Sequence, residues 1–174
     1  PDDAKTLEEA IGRAKSENDL ILMSGGISMG DFDHGPEAME NNGFSILYDR
    51  VAVKPGRPTT FAVSDEADLF GLPGNPVSCF VMFEVLVTHY LYRLMHTDYR
   101  PARCFASMGQ RFERRKTGRE EWIPVNVDEE GEVYPIEYHG SGHFLSLSRA
   151  DGLIKIARGI QRIEKGATVA VRRI

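Results

Sequence analysis

Two short apolar segments each run into a glycine-rich turn, and this arrangement most constrains the fold. Leu20–Met23 precedes the sequence SGGISMGDFD, and Leu69-Phe70 precedes GLPGNPVS. Apolar strands alternating with helices are typical of α/β folds. Glycines permit positive φ and a close approach of the backbone to a ligand. The pattern therefore predicts an α/β unit whose two turns present main-chain amides to one small anion.

Hydrophobic periodicity completes this first block, which we place at residues 1–98. Leu20–Met23, being wholly apolar, is expected to be a strand buried on both faces. Asn75 is a favoured N-cap and Pro76 suits the first helical position, so a long helix is expected to run from there to Met95 at the centre of the core. The remaining predicted elements are helices at Thr6–Ser16 and Pro36–Glu40 and extended segments at Ser45–Val53 and Thr59–Ser64.

The block at residues 99–174 has a different pattern, since helical periodicity gives way to short β-prone runs between glycines. These runs are Cys104–Ser107, Glu121–Val127, Glu132–Ile136, Phe144–Leu147, Leu153–Ile156 and Thr168–Val171. Closely spaced short strands predict a small antiparallel barrel or sandwich, with Trp122 in its core. The predicted fold class is therefore a three-layer α/β sandwich followed by a small all-β barrel-like domain.

Composition excludes several function classes. The chain has 174 residues, a net charge of -5 and a sequence pI near 5.6, so a general nucleic-acid binder, which needs a basic face, is not expected. The two cysteines, Cys79 and Cys104, lack metal-site or disulfide spacing and are expected to be reduced packing residues. We find no leader and no apolar run of ~18 residues, so no membrane insertion and a cytoplasmic location are expected.

The first turn carries hydroxyls and carboxylates beside its glycines. Ser24 and Ser28 add hydroxyl donors to the amides, whereas Asp31 and Asp33 would repel a bare anion. A divalent cation such as Mg²⁺, shared between these carboxylates and a phosphate, would account for them. A second interpretation is equally open: Asp31 or Asp33 caps the helix that follows.

Two further turns contain groups suited to an oxyanion. Lys54-Pro55-Gly56-Arg57-Pro58 holds two cations on a stiffened backbone, although an isolated pair of this kind is more often solvated surface. The turn Pro73–Ser78 is either a simple helix cap or a helix N-terminus that attracts an anion. All three turns follow strands, and strand ends of one α/β sheet commonly share a binding edge.

Three of these segments, GGISMGDFD, KPGRPTTFA and LFGLPGNPVS, resemble the molybdopterin molybdenumtransferases in order and spacing. This family includes bacterial MoeA and the E domain of animal gephyrin. The tail is similar more loosely, through His139–His143 and Ser146–Leu153. The resemblance implies a MoeA-like fold that is incomplete at its N-terminus. It also implies a cytoplasmic, homodimeric enzyme that inserts molybdate into adenylylated molybdopterin, releases AMP and requires Mg²⁺.

The resemblance also implies roles for individual residues. Asp33 and Asp31 would be catalytic, with Asp33 as the metal ligand. Residues that would bind molybdopterin and its adenylate are Ser24, Gly25, Gly26, Ser28, Gly30, Pro73, Gly74, Asn75 and Pro76. Residues that would bind molybdate are Lys54, Arg57, Pro58, Ser78, Arg119 and Ser141. Two departures affect the molybdate pocket: Arg57 replaces a lysine, and Ser141-Gly142-His143 replaces Ser-Ser-Arg.

Members of the family are considerably longer than this chain, which resembles only their C-terminal portion. We therefore expect that these 174 residues alone are inactive. Two alternative functions remain at this point. One is a non-catalytic, gephyrin-like scaffold or dimerisation module, and the other is a molybdopterin adenylyltransferase, which acts one step earlier.

Overall fold

The computed structural model describes residues 3–26, 34–136 and 147–174, which fall into two compact units. Pro1–Val51 and Gly56–Phe83 form the α/β unit, and Ala52–Pro55 and Glu84–Ile174 form the barrel unit. The division between the units lies inside the long helix, between Phe83 and Glu84. Glu84 belongs to the barrel unit and accepts a hydrogen bond from Arg172 of that unit, with 2.9 Å between Arg172 Nη2 and Glu84 Oε2. The sequence-based boundary at residue 98 stays a prediction.

The helices and strands are numbered along the chain. The helices are α1 (Ala4–Glu17), α2 (Gly35–Asn41), α3 (Pro76–Met82) and α4 (Thr88–Leu94), with a π-helical turn (Phe83–Val87) between the last two. The strands are β1 (Leu20–Ser24), β2 (Ser45–Tyr48), β3 (Val53–Lys54), β4 (Thr60–Val63), β5 (Asp68–Leu72), β6 (Arg103–Met108), β7 (Phe112–Glu113), β8 (Glu120–Val127), β9 (Glu132–Pro135), β10 (Gly152–Ile156), β11 (Arg162–Ile163) and β12 (Thr168–Arg173).

The α/β unit contains a four-stranded sheet in the order β1-β5-β4-β2. β1 and β5 are parallel, and the other two pairings are antiparallel. Four consecutive residues of β5, positions 69–72, are buried, which shows that both faces of this strand are covered. On one face, Leu69 packs with Ile11 of α1 and Met39 of α2. The predicted burial of Leu20–Met23 on both faces is wrong, because β1 lies at the edge of this sheet and Leu22 is 45% exposed.

The helix from Pro76 to Leu94 begins where the sequence predicts, but only its first part is buried. Val77, Val81 and Val87 are fully buried, whereas no residue of α4, all of which is described, is buried. The expected position at the centre of the core is therefore wrong for α4. By length and composition alone, this helix is also apolar enough to cross a membrane, as core helices of soluble proteins can be. The expectation that the chain has no such run is corrected to this extent.

The barrel unit confirms the predicted all-β fold. Its strands follow the order β10-β12-β6-β9-β8, and a further pairing of β10 with β8 closes a five-stranded barrel. Met108, Val125, Val133, Ile154 and Val171 fill the interior. Trp122 is buried, as predicted. The predicted strand Phe144–Leu147 lies largely outside the described residues, and the two-residue strands β7 and β11 are too short to be recognised in the sequence.

The cysteines differ in their surroundings. Both are free thiols, as expected. Cys79 is half-buried near the start of α3, in agreement with a packing role, whereas Cys104 on β6 is exposed. The prediction that Cys104 is a packing residue is therefore wrong: it is exposed near the start of β6, although it shares a strand face with Ala106 and Met108.

Candidate functional site

The first and third turns meet at one edge of the α/β sheet. β1 and β5 run parallel with Ser24 opposite Leu72, so both turns leave the sheet at the same end. The Gly25 amide donates to the Leu72 carbonyl at 3.0 Å. A Cβ on Gly74 would lie 3.4 Å from Gly25 Cα, so the two backbones are in contact. The predicted convergence of these two turns is present in the structure.

The glycines of the first turn are required by its geometry. Gly25 and Gly26 have φ of 81° and 66°, which disfavours other residues. Immediately beyond the turn, a Cβ on Gly35 would lie 2.0 Å from the Gly26 carbonyl oxygen. The N-cap of α2 is His34, which makes no side-chain cap bond. Asp31 and Asp33 lie outside the described residues, so the interpretation that one of them caps this helix stays a prediction.

The third turn begins a well-capped helix. Asn75 Oδ1 accepts from the Ser78 amide at 3.1 Å and from the Ser78 hydroxyl at 3.3 Å. Cys79 Sγ lies 3.8 Å from Ser24 Oγ, which adds a second contact between the two turns. The helix dipole therefore points its positive end toward the Ser24–Gly26 turn. Both predicted readings of Pro73–Ser78, a cap and an anion-facing N-terminus, are compatible with this geometry.

The middle turn is anchored to the same helix. Gly56 has φ of 108°, and a Cβ there would lie 2.3 Å from the side chain of Met82 in α3. The Thr59 hydroxyl donates to the Gly56 carbonyl at 2.7 Å. These contacts place Arg57 and Pro58 in the α/β unit, with the Arg57 side chain exposed. Lys54, the other predicted cation, belongs to the barrel unit.

Lys54 is ion-paired within the barrel unit. Strand β3 runs parallel to β8 with Lys54 opposite Glu121, and Lys54 Nζ lies 2.6 Å from Glu121 Oε1. Arg119 Nη1 donates to the Val53 carbonyl at 3.4 Å. The binding of one oxyanion by Lys54 and Arg57 stays a prediction, and the partner of Lys54 in this structure is a carboxylate.

A cavity of about 370 Å³ lies beside this ion pair. Its lining is rich in cations and consists of Lys54, Arg114, Arg115, Lys116, Gly118, Arg119 and Glu121. Opposite a single carboxylate, this lining favours an anionic ligand. Of its members, the sequence analysis selected only Lys54 and Arg119.

Arg114 organises the wall of this cavity. It is buried, and Arg114 Nη1 lies 3.3 Å from Glu121 Oε2. Its guanidinium also donates to the carbonyls of Ala157, Ile160 and Arg119, at 2.6, 2.7 and 3.0 Å. Sequence reasoning missed Arg114 and Glu121 because a charged run reads as solvated surface. The signal was the high density of charged residues over positions 111–121, which lead into the apolar part of β8.

Several predicted site residues lie outside the described residues: Ser28, Gly30, Asp31, Asp33 and Ser141. Among the residues that are described, no group of three or more His, Cys, Asp or Glu side chains is arranged to hold a metal ion. Asp33, the residue predicted to bind Mg²⁺, lies outside the described residues.

Comparison with known proteins identifies the family. Residues 1–93 match the family model described as "Probable molybdopterin binding domain", and residues 108–173 match "MoeA C-terminal region (domain IV)". The chain belongs to the MoeA family. It is 32% identical over 166 residues to the molybdopterin molybdenumtransferase of Staphylococcus epidermidis and 30% over 165 residues to that of Bacillus subtilis. These alignments cover 94% and 93% of this chain.

The structural comparison agrees with this membership. A molybdopterin biosynthesis MoeA protein from Pyrococcus horikoshii has a TM-score of 0.82 at 27% identity, over 98% of this chain and 41% of that one. The two transferases are covered over 40% and 38% of their length. The chain therefore spans about two fifths of the relatives it matches, and the resemblance read from the sequence is confirmed for the family and the fold.

Proposed function

We propose that the protein takes part in molybdenum cofactor biosynthesis by inserting molybdate into adenylylated molybdopterin with release of AMP. The observation that carries the proposal is the contact between the Ser24–Gly26 turn and the Asn75-capped helix. Main-chain N–H groups with positive φ glycines and a helix N-terminus are suited to phosphate oxygens. On this basis Ser24, Gly25, Gly26, Pro73, Gly74, Asn75 and Pro76 would bind the phosphate-bearing part of the substrate.

Molybdate is the proposed second substrate. A tetrahedral dianion is suited to the cation-rich cavity that Lys54 and Arg119 line. The family resemblance adds Arg57, Pro58, Ser78 and Ser141 to the residues proposed to bind molybdate. Fixed cations would neutralise the charge of the oxyanion and hold it in place, so that the protein would act through positioning rather than through a nucleophilic side chain. Cys79 is not needed for this chemistry.

Mg²⁺ is proposed as the cofactor, with Asp33 as its ligand and Asp31 as a second catalytic carboxylate. When bound, the ion would supply positive charge to the phosphoanhydride. Homodimerisation and a cytoplasmic location are also proposed, from the family membership. The barrel unit, which matches the MoeA C-terminal region, speaks against the alternative of a molybdopterin adenylyltransferase.

The test is molybdate-dependent release of AMP from adenylylated molybdopterin in the presence of Mg²⁺, measured for the full-length gene product and for the 174-residue chain. Asp33→Asn is expected to abolish release, whereas Asp65→Asn, an exposed aspartate of the same unit, is expected to leave it unchanged. Full turnover in Asp33→Asn would remove Asp33 from the mechanism. The absence of both AMP release and molybdate retention in the full-length protein would contradict the proposed reaction and favour a scaffold.

A further inference from the structure

The carboxylate of Glu121 is the only anionic group among the described residues that line the cation-rich cavity. Its two oxygens are both engaged, Oε1 with Lys54 at 2.6 Å and Oε2 with Arg114 at 3.3 Å. The Glu121 side chain is 7% exposed. A buried carboxylate between two cations is a specific electrostatic element, whereas the neighbouring charges of this loop are largely exposed.

The two partners of Glu121 differ in how firmly the surrounding protein holds them. The Arg114 side chain is 5% exposed and bound to three main-chain carbonyls, so it fixes one side of the carboxylate. The Lys54 side chain is 49% exposed and ends a flexible stem, so its ammonium is free to reorient. Glu121 is therefore the fixed member of the Lys54 pair, and Lys54 is the member that an incoming anion can attract.

We propose that Glu121 is an internal competitor for Lys54 that sets the affinity of this cavity for tetrahedral oxyanions. This inference rests on the proposed function, in which Lys54 binds molybdate. To bind Lys54, an incoming anion must compete with the attraction between the Lys54 ammonium and the fixed Glu121 carboxylate. Anions that gain little from Lys54 are therefore excluded, because they cannot offset the loss of its ion pair with Glu121.

Charge balance decides the direction of the expected effect. Replacing Glu121 by glutamine keeps the shape of the side chain and an acceptor for Lys54, but it removes one negative charge next to the ligand. Because Coulomb attraction between the remaining cations and a dianion then increases, anions should bind more tightly. If Glu121 instead served only to hold Lys54 in place, the same substitution would weaken binding.

The experiment measures binding of molybdate and of sulfate to the full chain by isothermal titration calorimetry, at fixed ionic strength and without pterin. Glu121→Gln is expected to lower the dissociation constant for both anions by about fivefold or more, the equivalent of a partly exposed ion pair. The matched control is Glu120→Gln, which removes the same charge one residue earlier on β8. Glu120 accepts from Trp122 Nε1 at 2.8 Å, does not line the cavity, and should show no such gain.

Two further variants separate a local charge effect from damage to the fold. Glu121→Asp keeps the charge near Arg114 but shortens the reach to Lys54, and an intermediate tightening is expected. In a Lys54→Gln background, Glu121→Gln should have much less effect, because the competition acts through Lys54. Unchanged or weaker anion binding in both Glu121 variants would overturn the inference. AMP release is assayed separately on the full-length gene product, so its absence there would contradict the proposed function without deciding the role of Glu121.

Discussion

The two units build their candidate sites from different groups. In the α/β unit, the turn at Ser24–Gly26 contacts the helix start at Asn75, and internal main-chain and capping hydrogen bonds hold both in place. In the barrel unit, the cavity is lined by charged side chains whose positions depend on the buried pair of Arg114 and Glu121. The first arrangement is sensitive to added volume, as at Gly35 and Gly56, whereas the second is sensitive to a change in buried charge.

This difference determines what a substitution does in each unit. Removing a side chain from the barrel cavity leaves a buried charge without its partner, and this costs more than a lost contact. Adding a methyl group at Gly35 brings it against the Gly26 carbonyl, so the backbone must shift, at a cost that depends on how far the neighbours can move. The predictions below compare the two units by changing charge in one and volume in the other.

The largest effect is expected for Arg114→Met. The substitution leaves Glu121 buried without its fixed partner and three carbonyls without a donor, so the free energy of unfolding should fall by about 3–5 kcal/mol. Trp122, the single tryptophan, lies in β8 and reports on the barrel unit through its fluorescence in urea. Arg115→Met changes an exposed neighbour and should alter the transition little. An equal loss in both variants would contradict the role given to the buried pair.

A smaller loss, about 1–3 kcal/mol, is expected for Gly35→Ala in the α/β unit. The added Cβ would meet the Gly26 carbonyl oxygen at 2.0 Å, so α2 or the first turn must shift. The measurement is urea unfolding followed by circular dichroism, alongside Trp122 fluorescence. Gly118→Ala is the control for stability, since a Cβ there meets nothing within 4 Å. No difference between the two variants would show that the turn yields without cost.

Asn75→Ala should reduce the free energy of unfolding by about 1 kcal/mol, because the Ser78 amide loses its capping acceptor. Asn75→Asp separates this cap from a role in anion binding. Aspartate retains the acceptor and should preserve stability, but its negative charge at the helix start should weaken binding of adenylylated molybdopterin in equilibrium binding measurements. Undiminished binding by Asn75→Asp would argue against an anion beside this helix end.

The sequence predicts local backbone geometry better than it predicts burial or long-range pairing. Glycine and proline fix local backbone geometry, so the turns at Gly25 and Asn75 and the start of the long helix could be read directly. Burial depends on which elements lie alongside, so β1 at the sheet edge and the exposed α4 could not. The pairing of Lys54 with Glu121 could not be predicted either, because it depends on β3 pairing with β8, a strand far along the chain.

The smallest effect concerns charge at the first helix of the α/β unit. Asp3 caps α1 by accepting from the hydroxyl and the amide of Thr6, and these bonds lower its pKa below the usual 3.8. A carboxyl whose pKa is lower in the folded state stabilises the fold above its ordinary pKa, and this contribution is lost as the pH falls through the folded value. Asp3→Asn keeps a good cap without a titrating group, so its stability should change less between about pH 5 and pH 3. Urea unfolding across this range measures the difference. If the free energy of unfolding depended on pH equally in both proteins, the cap would make no pH-dependent contribution. Trp122 fluorescence is the control, because the barrel unit should respond to pH alike in both proteins.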